Sequence, residues 1–344
     1  MTEIAVVGFA HSVEPKTSGA TNGVELLVPL FQRLYADLGI TKGDIGFWCS
    51  GSSDYLAGRA FSFISAIDAI GACPPIMESH VEADAAWALY EAWVKLRMGE
   101  VDTALVYGFG KSTAGELRRV LAMQLDPYTT APLWPDATAL AALQARLGIE
   151  AGLWTEKEMA EVAARSTRAE AAALLEASYV ADPLREHDCA PYADGATAVV
   201  LAAGDRAREL CDRPAWITGI AHRIDSPSLG ARDLTRAPSA RTAAEAAGTD
   251  SVEVAELHTP YTHQELVLRR ELDLADGVRV NPAGGVLGGH AMFAAGLARI
   301  GEAARHIMSG AADRVLAHAT NGPLLQQNLV CAMSASPSRS GPAR

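Results

Sequence analysis

No apolar run in the sequence approaches the ~20 residues that a membrane-crossing helix needs. Met1-Thr2-Glu3-Ile4 passes straight into strand-like sequence, with no basic region or cleavage site ahead of it. A cytoplasmic protein is expected. Positive charge is in deficit: 29 Lys and Arg against 41 Asp and Glu give a formal net charge of −12. Nucleic acid and anionic membrane both call for a basic face, so neither is expected as a partner. Cysteine is scarce. Cys49, Cys73, Cys189, Cys211 and Cys331 are odd in number and widely spaced, with no Cys-x-x-Cys pair. Neither a disulfide framework nor a metal site is indicated, and each cysteine reads as a small buried hydrophobe. A phosphate loop is missing too. Gly110-Lys111-Ser112 follows a strand, but that motif needs a glycine five positions before Gly110, where Leu105 stands.

What is present is the grammar of an α/β protein of about two domains, 49% hydrophobic over 344 residues. Ile4 to Ala10 is a continuous apolar run of strand length, the pattern of a strand buried on both faces. Asn22 to Leu38 has helical spacing, with Leu26, Leu27, Leu30, Leu34 and Leu38 available to one face. Ile45 to Cys49 reads as a strand ending in Ser50-Gly51-Ser52-Ser53-Asp54-Tyr55. After Pro74-Pro75, a helix is predicted from about Glu82 to Met98, with the stripe Ala85, Ala88, Leu89, Ala92, Leu96. Thr103 to Tyr107 is the next strand, closing on Gly108-Phe109-Gly110. This alternation predicts a largely parallel sheet between helical layers.

Residues 112–185 lose that rhythm, with Pro127, Pro132 and Pro135 interrupting a helical stretch. The segment reads either as a lid over a substrate pocket or as a plain helical insertion. Tyr192 to Ala196 then leads into the strand Thr197 to Leu201. From Ala215-Trp216-Ile217 the chain repeats itself: a helical segment near Thr242 to Ala247, then a strand, Val252 to Leu257, that ends on His258. Gly99-x-x-Asp102 joins a helix to a strand in the first half, and Gly310-x-x-Asp313 does so in the second. A period of about 210 residues is too long for a solenoid and fits a duplicated half-domain. The boundaries expected are 1–205, 206–334 and a disordered Ser-, Pro- and Arg-rich tail at 335–344.

Between the repeat elements lies Asn281-Pro282-Ala283-Gly284-Gly285-Val286-Leu287-Gly288-Gly289-His290. It reads as an extended run, a glycine-dense turn and a histidine delivered to the first turn of a helix, where free N–H groups and a positive dipole end would lie. An imidazole there can work on an acyl carbonyl or an enolate; the plainer reading is a glycine-rich loop with an incidental histidine.

Together, the duplicated halves, the strand ending on His258 and the Asn281-Pro282-x-Gly284-Gly285-x-x-x-Gly289-His290 run resemble the thiolase superfamily. Asp194-Gly195-Ala196-Thr197-Ala198 and His318-Ala319-Thr320-Asn321-Gly322-Pro323 resemble its lipid-transfer-protein, or sterol-carrier-protein-x, branch. The likeness spans roughly residues 4–334. It implies a five-layered αβαβα fold and a dimer acting on acyl-CoA thioesters, with coenzyme A arriving as part of the substrate and no cofactor bound by this chain.

In active thiolases a cysteine opens the first half's central helix. Counting back from Gly99 places that position near Glu82, and no cysteine stands there. The second catalytic cysteine would fall at Leu324-Leu325. An acyl-cysteine mechanism needs a thiolate, which leucine and glutamate cannot supply. Both oxyanion histidines are matched, by His258 and His290. The resemblance therefore implies retro-aldol cleavage of a β-hydroxyacyl-CoA, as in steroid side-chain-cleaving aldolases that work with a small partner carrying an OB-fold and zinc-ribbon region. His290 is expected as oxyanion donor or acid, and His258 as second donor or base. Tyr261 supplies a phenol or simply packs; Glu82 acts as a base or, like Asp84, as a helix-dipole partner. His263 and His80 are assigned to surface or structure. Gly285, Gly289, Asn321 and Gly322 are expected to line the substrate site. The competing reading is a noncatalytic subunit in a homo- or heterodimer with a thiolase-like chain. A lipid carrier is disfavoured, since no separate sterol-carrier domain fits.

Overall fold

Alternation of side chains along the strands builds the framework. The computed structural model describes residues 2–14, 23–54, 63–71 and 76–337. Its first strand, β1 (Ile4–Glu14), sends Ile4 and Val6 into one apolar cluster and Ala5 and Val7 into another. The first half continues with α1 (Gly23–Leu38), β2 (Phe47–Gly51), α2 (Ile64–Ile70), β3 (Glu78–Val81), α3 (Ala85–Met98) and β4 (Thr103–Lys111). An excursion follows: helices α4 (Leu117–Met123), α5 (Ala137–Glu150), α6 (Glu156–Thr167) and α7 (Ala171–Leu174), then the small pair β5 (Tyr179–Ala181) and β6 (Leu184–Arg185). β7 (Asp194–Ala203) returns to the sheet and α8 (Gly204–Leu210) leads to the second half. That half comprises β8 (Ala215–Ile224), α9 (Pro238–Ala247), β9 (Val254–Leu257), α10 (Thr262–Glu271), β10 (Arg279–Val280), α11 (Ala295–Met308), β11 (Arg314–Asn321) and β12 (Gln327–Ser334).

The main sheet runs β10-β9-β11-β12-β8-β1-β7-β4-β2-β3. Its middle joint is thin, only Ala5 with Trp216 and Val6 with Ala215. On either side of that joint the halves have one topology. β2 is parallel to β3 and β4, while β7 is antiparallel to β4 and β1. Likewise β9 is parallel to β10 and β11, while β12 is antiparallel to β11 and β8. The hinges match as well. Gly99 and Gly310 both take left-handed φ, 73° and 75°, which a side chain would strain. Ala203 N–H donates to the Asp102 carbonyl and Ala335 N–H to that of Asp313, each at 2.9 Å.

Buried clusters define the layers. One holds α3 and α11 together with inward faces of both sheet halves, so these helices form the central layer. α1 packs on the far side of the first half, and α9 and α10 on the far side of the second. The result is αβαβα. The stripe Ala85, Ala88, Leu89, Ala92, Leu96 is wholly buried because α3 packs on β2 and β4 of its own half and beside α11.

Several boundaries differ from expectation. α3 begins at Ala85 rather than near Glu82, because the Asp84 side chain accepts from Ala86 N–H and caps it. α11 begins at Ala295, so His290 lies before the helix and not in its first turn. Ala335, expected at the head of a disordered tail, is hydrogen-bonded and packs on the central cluster. Asn22, Tyr55, Cys73, Pro74, Pro75 and residues 338–344 lie outside the described residues. No helix among the described residues is long and apolar enough to cross a membrane.

Candidate active site

The end of β9 and the glycine run meet through one side chain. Asn281 Oδ1 accepts from Leu257 N–H at 2.6 Å and its Nδ2 donates to Glu265 at 3.2 Å, fixing the strand end that presents His258. His290 is held by the chain's own backbone: its N–H donates to the Pro191 carbonyl at 2.8 Å, and its carbonyl accepts from Ala193 N–H at 3.0 Å. Tyr192 stacks on its ring, 6.1 Å between centroids and 26° from parallel. Close backbone approach then fixes the residues after it. A Cβ on Gly108 would stand 2.3 Å from the Phe293 carbonyl oxygen, and one on Gly110 would stand 2.2 Å from that of Met292. Glycines at the end of β4 are needed for that contact.

These supports bring His258 Nε2 to 3.0 Å from His290 Nε2. Burial holds both rings neutral: His290 is pushed down to about 4, and His258 falls well below its usual value through burial and then through His290, His318 and Arg299. The hydrogen bonds assign the tautomers. Thr320 N–H donates to His258 Nδ1 at 3.4 Å, so His258 carries its proton on Nε2 and donates it to His290. His290 therefore carries its proton on Nδ1. The pair is one donor and one acceptor, side by side.

A cavity of about 450 Å³ opens over this pair. Its wall includes Glu82, Asp84, Tyr192, His258, Tyr261, His290, Thr320, Asn321 and Gly322, with Leu121, Leu125, Pro135, Thr138 and Leu140 contributed by the excursion. Six of the eight expected site residues, Glu82, His258, Tyr261, His290, Asn321 and Gly322, thus share one space. Tyr261 is half-buried, its phenol pKa is raised by loss of solvation, and it hydrogen-bonds Thr138 of α5. Glu82 is half exposed at the rim and accepts from Asp54 N–H at 2.9 Å. Gly285 and Gly289 are elsewhere. They line a second cavity of about 310 Å³ with His11, Ser12 and Arg299. The cause is alternation through an extended stretch: His290 and Met292 face the first cavity, Gly289 and Ala291 the second.

Several contributors carried weak sequence signals. Asp84 is buried, and its carboxylate accepts from Ala86 N–H (2.9 Å), Gly296 N–H (2.9 Å) and Leu297 N–H (3.0 Å), capping both central helices. Its pKa is raised by burial, against those three hydrogen bonds. Leu324 and Leu325 both take positive φ, 60° and 54°. The Arg232 guanidinium donates to the Leu324 carbonyl at 3.1 Å and the Pro323 carbonyl at 3.3 Å, holding that turn against the cavity. Cys189 also lines the cavity, and burial followed by neighbouring Asp188 pushes its thiol up to about 12. It is a thiol at neutral pH, not a thiolate.

No protein-family model matches the sequence. The structure superposes on human mitochondrial 3-ketoacyl-CoA thiolase with a TM-score of 0.78, over 97% of this chain and 99% of that one, at 14% identity. The fold is the thiolase fold. Two curated relatives are archaeal. The acetyl-CoA acetyltransferase of Methanothermobacter thermautotrophicus is 29% identical over 166 residues, 41% of this chain and 43% of that protein. This chain therefore matches less than half of that relative's length. The acetyl-CoA acetyltransferase of Methanocaldococcus jannaschii is 28% identical over 274 residues, 66% of this chain and 70% of that protein. Fold and relatives together support the thiolase superfamily. Within the thiolase fold of this chain, the cavity sits where the two central helices begin and the strand-end loops of both halves converge.

Proposed function

We propose that this chain acts on acyl-CoA thioesters and catalyses retro-aldol cleavage of a β-hydroxyacyl-CoA side chain borne by a steroid or similar lipid. The observation that carries the reading is the neutral imidazole pair, one Nε2 protonated and the other bare, beneath a cavity whose sole lining thiol among the described residues is unactivated. Fold and relatives support the thioester. The tautomers support the following roles. His290 Nε2 takes the β-hydroxyl proton, the Cα–Cβ bond breaks to leave a ketone, and the electron pair collects as a thioester enolate. His258 Nε2–H turns from His290 to the enolate oxygen and stabilises it. The proton held on His290 then returns to Cα, giving the shorter acyl-CoA. Of the roles expected from the sequence, donor or acid for His290 and second donor or base for His258, this keeps His258 as a donor and makes His290 the base that then returns the proton as acid. Tyr261 orders the wall beside them, and Asn321 and Gly322 border the substrate. Coenzyme A enters only as part of the substrate.

Acyl transfer, the activity in the relatives' names, needs a thiolate that Cys189 does not supply. A noncatalytic subunit, paired with a catalytic thiolase-like chain, is the second reading. The unactivated Cys189 thiol fits it as well, because a noncatalytic wall needs no nucleophile. One assay separates the two. The purified chain, alone and with thiolase-like and OB-fold/zinc-ribbon candidate partners, is given a steroid side-chain β-hydroxyacyl-CoA while ketone and short acyl-CoA are followed. Cleavage lost in His258→Ala and His290→Ala establishes the lyase; cleavage indifferent to both establishes the subunit; no cleavage in any combination removes the lyase.

A further inference from the structure

At the cavity rim, a second set of side chains converges that the reaction above does not use. Asp54, His80 and Glu82 each offer one ligand atom, and these atoms lie within 4.8 Å of one another. The sequence hides the group, since Asp54 follows β2 while His80 and Glu82 belong to β3 and its exit. Parallel pairing of the two strands puts Ser50 in register with His80, and Ser50 Oγ lies 3.0 Å from His80 Nδ1. Phe63 stacks on the ring, 5.2 Å between centroids and 28° from parallel. The imidazole is therefore held at one nitrogen and on one face, which leaves Nε2 aimed at the carboxylates.

The spacing there is informative. His80 Nε2 is buried without a hydrogen bond, and the nearest Glu82 oxygen is 3.5 Å away. That is long for a charge-assisted hydrogen bond, which runs near ~2.8 Å. It matches the separation of two ligands on one ion, since bonds of ~2.1 Å at a tetrahedral angle place the ligand atoms about 3.4 Å apart, and the whole set lies within 4.8 Å. A ring nitrogen tied to a hydroxyl while the other faces outward is also how ligating histidines are oriented. We infer that Asp54, His80 and Glu82 form a divalent-cation site, of zinc type with three protein ligands and an open fourth position, at the rim of the main cavity.

Glu82 and Ser53, the residue before Asp54, both line that cavity. The fourth position therefore belongs to water or to an oxygen of the molecule the cavity holds. A three-ligand site with one open position is the arrangement of reactive rather than structural zinc. Mixed nitrogen and carboxylate ligands suit Zn²⁺ better than Ca²⁺ or Mg²⁺, which prefer oxygen alone. The inference does not depend on the retro-aldol reading, because metal uptake is measured without turnover.

The test uses full-length protein stripped with a chelator and titrated with ZnCl₂ by calorimetry, and with CoCl₂ by visible absorption. One equivalent of Zn²⁺ per chain is expected, with a tetrahedral Co²⁺ spectrum. His80→Gln and Glu82→Gln should each weaken binding at least ~10-fold, and Ser50→Ala, which keeps every ligand, should weaken it about 10-fold through loss of ring orientation. Melting curves of the variants confirm that they fold. Absence of uptake by the native chain, or uptake unchanged in both His80→Gln and Glu82→Gln, would overturn the site and leave a His80–Glu82 ion pair.

Discussion

The two halves share strand order, strand direction and hinge, yet they bring opposite chemistry to the shared cavity. Where β2 ends, the first half has Ser52 and Ser53; where β9 ends, the second has His258 and Thr259. Ahead of α3 the first half places Asp84, whose carboxylate caps its own helix and that of the other half. Ahead of α11 the second half provides no side-chain cap and spends the segment on presenting His290. Duplication gave two equivalent scaffolds. One became the anchor and the other the reactive face.

That division can be broken from either side. Removing the reactive face has the largest expected effect: His258→Ala and His290→Ala should each lower cleavage ~10²–10³-fold. The double variant should lose little more than either single, since the residues act as a pair. Steady-state rates of ketone release check this. Removing the anchor should act on stability. Asp84→Ala strands three buried N–H groups at two helix starts and should cost about 3 kcal/mol in urea unfolding. Asp84→Asn, which keeps an acceptor, should cost clearly less.

Acidification should act most strongly on the second half. His290 and His318 are held near 4 and His263 near 3 by burial, and all three belong to the second half. The unfolded chain takes up these protons near ~6.5. Folded values below unfolded ones mean that the unfolded state binds more protons between those limits. Stability is therefore full above ~6.5 and falls as pH drops toward 4, by up to ~1.4 kcal/mol per pH unit for each imidazole. Thermal melting from pH 8 to 4.5 should be flat at first and then decline, and His263→Gln should reduce the acid slope. The smallest effect is expected at Cys189. Cys189→Ser should change cleavage less than ~2-fold, because a thiol pushed up to about 12 is not ionised.

Much of this was legible in residue order. Gly99 and Gly310 marked the duplication because a left-handed helix end favours glycine. His258 marked the cavity because it directly follows a buried strand. Local pattern misled where the chain stays irregular. The glycine density before His290 looked like a helix start, but the chain runs on to Ala295. Gly285 and Gly289 were assigned to the His290 cavity, although neighbours on an extended segment face opposite ways. Asp84 reads locally only as a helix-dipole partner because Gly296 and Leu297 lie 212 and 213 positions away. No local spacing reports such a contact.

The central claim is that an imidazole pair, without a thiolate, supports a thioester enolate. Hydrogen exchange at Cα tests it most directly. The chain, in complex with any partner needed for cleavage, is incubated with propionyl-CoA in D₂O, and deuterium at Cα is followed by mass spectrometry. The account predicts exchange that survives Cys189→Ser and disappears in His258→Ala and His290→Ala. Exchange that depends on Cys189, or no exchange from a complex that cleaves its substrate, would contradict it.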